Sequence, residues 1–203
     1  TSGATTSVMD RYDILKKIKH IKKSCGGNIK TLPKVYLLHG DLADDQMNEL
    51  YNHPKVKAMV SLTHGEGFGR PLLEFATTGK PIMASDWSGQ VDFLNKGYTT
   101  LLPGDLKNVP KDSFPKNIYV KEAKWFVVNY GVVRSMLKNI TKNYKKFKKK
   151  ALKQQQFAKK FTRDKMTEKL GEILDAYLPI PVEEVDIKLP KLKKVNLPKL
   201  KKL

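Results

Sequence analysis

Two kinds of hydrophobic pattern alternate along residues 12–94, and this alternation constrains the fold more than any other feature of the chain. Stretches with apolar residues at helical spacing are followed by short apolar runs that are typical of buried strands. Such alternation is typical of βαβ units around a parallel sheet. We predict a first helix that ends at residues 25–28, then strands over residues 34–39, 56–62 and 81–85, and helices over residues 43–51, 71–78 and 90–94.

The predicted fold class is α/β, a Rossmann-like parallel sheet with helices on both faces, over residues 1–132. Residues 99–114 are dense in Gly, Pro, Asp and Lys, which predicts a loop, and residues 117–120 form a weaker last strand. From Val133 an apolar stripe at steps of three or four predicts one long helix, and a second helix covers residues 162–177. We predict that residues 133–178 pack on the α/β domain as basic helices. Residues 179–203 form a tail in which LPKLKKV recurs as LPKLKKL.

The positive charge of the chain, +19 in formal terms, lies in two stretches. Residues 134–169 hold 14 Lys or Arg and two acids, and residues 188–203 hold seven Lys and no acid. The remainder is balanced, with 18 basic and 18 acidic residues. The basic helices and tail are therefore either solvated or a surface for an anionic partner, which is DNA, a membrane surface or an acidic protein. The tail offers strand addition to another protein as a further alternative.

One short segment, residues 64–74, carries the chemistry that the sequence predicts. It reads HGEGFGRPLLE and stands where a predicted strand ends and a helix begins. Open α/β sheets bind ligands at this edge. Three glycines let a ligand approach the backbone, and a helix start that contains proline presents N–H groups suited to a diphosphate. The two carboxylates, Glu66 in the loop and Glu74 one turn into the helix, are placed to flank such a ligand.

This segment resembles the E-x7-E motif of retaining GT-B glycosyltransferases, with Glu66 and Glu74 as its two acids. The likeness covers roughly residues 1–94, since residues 1–10, 38–41, 50–52 and 84–89 fall where that family has donor-domain loops. The resemblance implies that Glu74 holds the ribose hydroxyls and that Glu66 is catalytic beside the transferred sugar. It also implies that the amides of Gly67, Phe68 and Gly69 hold the diphosphate. The other donor-binding residues are expected to be His64, Gly65 and Arg70.

The resemblance further implies that a hexose is transferred from a nucleotide diphosphate sugar, with retention and without a metal or other cofactor. GT-B enzymes bind the acceptor on a separate N-terminal domain, which this sequence lacks, so the chain is expected to be a donor half that needs that partner. No basic residue precedes Arg11, although the family supplies an Arg and a Lys near the diphosphate from early parts of this domain. Two alternatives stay open: a non-catalytic structural or assembly protein, viral or phage in type, and a DNA-modifying glucosyltransferase.

Other residues with chemical potential have simpler interpretations. Trp87 and Trp125 are expected to be packing residues, and His64 is either a sugar contact or a loop residue. The remaining histidines show no metal-ligand spacing. The single cysteine, Cys25, excludes an internal disulfide and fits a reducing compartment. No apolar run is long enough for a membrane span, so we expect a cytoplasmic protein, with association with a virion as the alternative.

Overall fold

The computed structural model describes residues 6–26, 32–110, 113, 120 and 122–178. Its helices and strands follow one another in a mixed α/β order. In chain order they are α1 (Val8–Ser24), α2 (Asp44–Asn52), β1 (Met59–Ser61), α3 (Arg70–Ala76), β2 (Ile82–Ser85), a 3-10 helix (Gly89–Asp92), β3 (Thr100–Leu102), β4 (Gly104–Asn108), β5 (Lys124–Val128), α4 (Tyr130–Lys142), α5 (Tyr144–Ala158), a second 3-10 helix (Lys159–Phe161) and α6 (Arg163–Tyr177).

The central sheet has three parallel strands in the order β1-β2-β3. Met59 pairs with Ile82, and Met83 pairs with Thr100, so β2 is the middle strand. All four residues of β2 are buried, as expected for a strand covered on both faces. The strands predicted over residues 56–62 and 81–85 are therefore confirmed in shorter form. The predicted α/β class with a parallel sheet is confirmed as well.

A two-stranded antiparallel hairpin of β4 and β5 follows the sheet. Gly104 pairs with Val128, and a Cβ atom on Gly104 would overlap the carbonyl of Val127. The prediction of a loop over residues 99–114 is wrong, because β3 and β4 lie inside it. Four of the five residues of β4 are exposed, so this strand lacks the apolar signal on which the prediction depended. Of the strand predicted over residues 117–120, only Val120 lies within the described residues, and it belongs to no strand.

The strand predicted over residues 34–39 is also wrong. These residues form no regular element, and Tyr36 is 81% exposed. An apolar run becomes a strand only when another strand supplies hydrogen-bonding partners. Within the described part of the chain, β1 pairs with β2 alone.

The hydrophobic core lies between the strands and the two helices that follow them. Its buried residues come from both sheets and from α4: Met83, Leu102, Phe126, Val128, Val133 and Ile140. On α5, the buried Gln154 donates from Nε2 to the Phe93 carbonyl (2.5 Å) and accepts from the Asn95 amide (3.0 Å). This satisfied amide joins α5 to the turn that follows the first 3-10 helix.

The long helix predicted from Val133 is two helices, because the helical conformation is interrupted at Asn143. Asn143 ends α4 and begins α5, and its side-chain amide donates to Asn139 Oδ1 at 2.7 Å. Asparagine favours such interruptions because its amide competes for local hydrogen bonds. Val133, Ile140 and Ala151 of the predicted stripe are buried, whereas Leu137 is 43% exposed.

The chain divides into two compact units, Thr1–Lys159 and Lys160–Leu203. In the second unit, the predicted helix over residues 162–177 is confirmed as α6, whose first turn is capped by the Thr162 side chain. No helix in the described ranges is long and apolar enough to cross a membrane. The tail over residues 179–203 lies outside the described residues. The predicted domain boundaries at 132 and 178 stay predictions.

Candidate functional site

The loop that follows β1 ends in a tight turn onto α3. Gly69 precedes the helix with φ of 87°, a left-handed conformation that favours glycine. A Cβ atom there would meet Gln90 Cβ at 3.3 Å. The Gly69 carbonyl accepts the first helical hydrogen bonds, from the amides of Leu72 (2.9 Å) and Leu73 (3.2 Å). Pro71 lies in the first helical turn, where amides lack a partner in the helix.

A second loop, from the end of β2, closes onto the first loop at Glu66. The Ser88 hydroxyl donates to the Glu66 carbonyl (2.6 Å) and accepts from the Glu66 amide (3.2 Å). The amide of Gly89 donates to the same carbonyl at 3.0 Å. A Cβ atom on Gly89 would overlap the carbonyl of Gly67, so the two backbones touch. Glu66 is thus fixed through its backbone rather than through its carboxylate.

Ser88 holds this closure in a strained conformation. Its φ of 72° is the one positive value among the described residues other than glycine. A residue with a Cβ atom pays about 1–3 kcal/mol for such a conformation. Backbone strain of this size is characteristic of functional sites, where the surrounding contacts maintain it. This strain could not be predicted from the sequence, because serine is not a residue type that favours positive φ.

The third segment at this edge is β5, which pairs with the start of the β1 loop. The amide of Phe126 donates to the His64 carbonyl (3.2 Å), and His64 Nδ1 lies 2.7 Å from the Phe126 carbonyl. Because a carbonyl only accepts, Nδ1 carries the proton of this hydrogen bond. The ring stacks on Trp125, with centroids 3.9 Å apart and planes 9° apart.

The aromatic residues at this edge contact one another, and the expectation that Trp87 and Trp125 are packing residues stays a prediction. Trp87 stacks on Phe126 with centroids 5.7 Å apart, and Trp125 covers His64. Phe68 leans on the buried Phe93 with centroids 5.1 Å apart. These contacts support the two loops from the side of β5, and β5 itself was absent from the sequence prediction.

The two acids of the segment lie in different surroundings. Glu66 is half-buried, and no described residue forms an ion pair or hydrogen bond with its carboxylate. The carboxylate of Glu74 accepts from Arg70 Nε at 2.8 Å, with the Arg70 and Glu74 side chains 77% and 41% exposed. An exposed pair of this kind contributes only about 0–1 kcal/mol, so a ligand can displace it at low cost.

Glu74 also lines a groove of about 600 Å³ between α2 and α3. The opposite wall includes Asp41, Met47 and Tyr51. Asp41 and Tyr51 belong to residues 38–41 and 50–52, which the resemblance places among donor-domain loops, whereas nothing in the sequence marked Met47. Burial, and next the negative charge of Glu74, raise the pKa of Tyr51, while Arg70 lowers it. Glu66 and the three glycines of the segment are not among the groove residues, so the structure places the two acids at separate positions around the helix start.

Lys80, a partly buried lysine that was not singled out from the sequence, binds the carboxyl end of α2. Lys80 Nζ donates to the carbonyls of Tyr51 (2.6 Å) and His53 (2.8 Å), where the helix ends. Cations stabilise helix carboxyl termini because these carry a partial negative charge. Burial lowers the pKa of Lys80, and the positive charges of Lys148 and Lys57 lower it further. Lys80 thereby holds the wall of the groove to the turn before β2.

No protein-family model matches this chain, and no curated protein shows significant similarity to it. The resemblance to glycosyltransferases therefore depends on the residues of the segment alone, and it stays a prediction. In the described part of the chain, no three His, Cys, Asp or Glu side chains are grouped as metal ligands. The expectation of a site without a metal stays a prediction.

Proposed function

We propose that the chain is the donor-binding half of a retaining glycosyltransferase of the GT-B type, which transfers a hexose from a nucleotide diphosphate sugar. The observation that carries this proposal is the fixed backbone of Glu66. Ser88 and Gly89 bind that backbone, while the carboxylate has no partner among the described residues. A loop that holds an acid in place and leaves its carboxylate available is suited to a reacting group.

The groove between α2 and α3 supports the second role in the proposal. Ribose hydroxyls are donors that a carboxylate accepts, and Glu74 offers such an acceptor on the groove wall. Tyr51 and Met47 supply apolar surface for the base beside it. Arg70 exchanges its contact with Glu74 for one with a phosphate oxygen. The diphosphate then lies against the amides of Gly67, Phe68 and Gly69.

The chemistry follows from this arrangement of groups. Cleavage of the donor leaves negative charge on the diphosphate, which backbone N–H groups and Arg70 stabilise. Positive charge develops at the anomeric carbon, and Glu66 lies beside the sugar to stabilise it. The acceptor is bound by the separate N-terminal domain that the resemblance implies. Without that partner the chain binds donor and transfers nothing.

The proposal is tested by separating the roles of the two acids. We expect Glu74→Gln to weaken the affinity for a nucleoside diphosphate about 10-fold or more, because it removes charge-assisted hydrogen bonds. Glu66→Gln leaves that affinity unchanged and abolishes transfer in the complete enzyme. Glu172→Gln in α6, the same substitution in the other compact unit, is the matched control. Equal losses of nucleotide affinity in the Glu66 and Glu74 variants would refute the proposed roles.

A non-catalytic assembly protein is the second candidate, and exposed apolar residues favour it. Val35, Tyr36 and Leu38 are all exposed, as are Val8, Met9 and Tyr12 on α1. Exposed apolar side chains in neighbouring segments are suited to contact with a protein partner. A separate N-terminal domain accounts for the same surface. The nucleotide-binding test separates the two candidates, because a non-catalytic assembly protein is not expected to bind a nucleoside diphosphate.

A further inference from the structure

Two adjoining cavities run along α5, far along the chain from the acids of the candidate site. The first, of about 340 Å³, lies between α4, α5 and the turn before β3. The second, of about 260 Å³, lies between α5 and the turn at Gly97 and Tyr98. Lys146 and Lys150 line both cavities, so the two cavities adjoin at these side chains. We call the two together the lysine groove, and its five lysines are Lys96, Lys146, Lys149, Lys150 and Lys153.

The charge of the lysine groove is almost entirely unbalanced. Its one acid is Asp86, which accepts from Lys96 Nζ at 2.8 Å. The other four lysines form no ion pair with any described residue, and α5 contains no acid. Like charges at this density repel one another, which costs stability unless an anion offsets them. The groove therefore favours an anionic occupant.

The structural contacts of α5 lie elsewhere on the helix. Lys148 donates to the Gly79 carbonyl (2.7 Å), Gln155 donates to the Thr77 carbonyl (2.6 Å), and Gln154 is buried against Phe93. The lysines of the groove take part in none of these contacts. Among the described residues, the side-chain hydrogen bonds of α5 thus involve Lys148 and none of the groove lysines.

The spacing of the lysines indicates an extended anion. Lys146, Lys150 and Lys153 follow at steps of four and three, so they share one face of α5 and span about 10 Å along its axis. The phosphates of one DNA strand advance about 3.4 Å each along the duplex axis, so about three of them cover this span. A single small anion would occupy only one end of the groove.

We propose that the lysine groove binds the phosphodiester backbone of a nucleic acid. A membrane surface fits less well, because the cationic face is concave and the buried Ala151 and Ala158 are withdrawn from solvent. Leu152, 46% exposed, is the one large apolar residue that α5 offers for insertion into lipid. The proposal depends on the charge and shape of the surface along α5. It is independent of the glycosyltransferase proposal, so either can be refuted without the other.

The test measures binding of the full chain to a fluorescein-labelled DNA duplex of about 20 base pairs by anisotropy, over a series of salt concentrations. We expect K146Q/K150Q/K153Q to lower the slope of log affinity against log salt by about 3, since each phosphate contact contributes about 0.9. At about 0.1 M salt the affinity falls about 10-fold or more. K146R/K150R/K153R keeps the charge and retains the binding. K16Q/K19Q/K23Q, which removes the same charge from exposed positions of α1, lowers the slope by less than about 1.

A second measurement locates the contact. Acetylation of lysines, read by mass spectrometry, is expected to be suppressed by DNA at Lys146, Lys150 and Lys153 and to continue at Lys16, Lys19 and Lys23. Equal losses in the groove and α1 variants would overturn the proposal, because affinity would then follow net charge alone. Dependence on the groove lysines for vesicles of phosphatidylserine and phosphatidylcholine, together with none for DNA, would overturn it in favour of a membrane surface.

Discussion

Residues 6–58 and residues 59–158 carry comparable hydrophobic patterns, but among the described residues only the second region buries any of them fully. The described residues before Gly69 are exposed or at most partly buried, although α1 and α2 have amphipathic sequences. In the second region β2 is buried completely, and α3, α4 and α5 each bury two or three residues. Periodicity therefore predicts an element, whereas burial requires a facing surface, which the parallel sheet supplies only to the second region.

The largest expected effect comes from removing a buried ring in the second region. Phe93→Ala should lower the free energy of unfolding by about 3–5 kcal/mol, because the fully buried ring leaves a cavity. Tyr36→Ala in the first region should change it by less than about 0.5 kcal/mol. Urea unfolding measures both variants. Similar losses for the two would show that the first region has a packed partner in the folded chain.

The two glycines at the loop closure give the next largest contrast. Gly89→Ala should cost about 1–3 kcal/mol, because the new methyl group overlaps the Gly67 carbonyl and forces the two loops apart. A Cβ atom on Gly67 meets nothing within 4 Å, so Gly67→Ala should cost less than about 1 kcal/mol. The same unfolding experiment compares them. A Gly89→Ala variant as stable as Gly67→Ala would mean that the loops are not in contact.

Substitutions at Ser88 should separate its hydrogen bonds from its backbone strain. Ser88→Ala loses both bonds to Glu66 and keeps the positive φ, so it should cost about 1–2 kcal/mol. Ser88→Gly loses the same bonds but relieves the strain, and it should be about 1 kcal/mol more stable than the alanine variant. Thermal unfolding at neutral pH resolves a difference of this size. The reverse order would show that Ser88 is not strained.

The smallest effect concerns ionisation in the groove between α2 and α3. Burial and Glu74 raise the pKa of Tyr51 above its usual 10.0, so the folded state holds this proton more tightly than the unfolded state. The stability that Tyr51 contributes is present below pH 10.0 and is lost as the pH rises through the raised pKa. Above pH 10.0, the free energy of unfolding should therefore fall less steeply with pH in the Tyr51→Phe variant than in the unsubstituted chain. An unchanged decline would show that Tyr51 is as solvated as in the unfolded chain.

The elements predicted correctly are those whose signal is local. α2, α3 and α6 carry helical spacing with acids, a proline or a capping threonine near their starts, and β2 is a short apolar run bounded by proline and polar residues. The errors depend on distant partners. Residues 34–39 have strand composition but no strand beside them in the described part of the chain, whereas β4 has little apolar character and forms because β5 pairs with it.

The candidate site likewise combines residues that have a local sequence signal with residues that only the fold brings to them. The segment from His64 to Glu74 was evident in the sequence, because glycine spacing and paired acids are local signals. Ser88 and Gly89, which fix Glu66, are 22 and 23 positions along the chain from it, and β5 is further still. The resemblance placed residues 84–89 among the donor-domain loops, but no local signal in a single sequence joins Ser88 or Gly89 to the Glu66 backbone. The groove wall on α2 became apparent only through the packing of α2 beside α3.

The central claim is that the segment from His64 to Glu74 and the adjoining groove bind a nucleoside diphosphate. Calorimetric titration of the folded chain with UDP, GDP and ADP tests it most directly. We predict that at least one of the three binds, and that Glu74→Gln weakens that affinity about 10-fold or more while Glu172→Gln leaves it unchanged. Absence of binding by all three at millimolar concentration, in a sample shown by circular dichroism to be folded, would contradict the account.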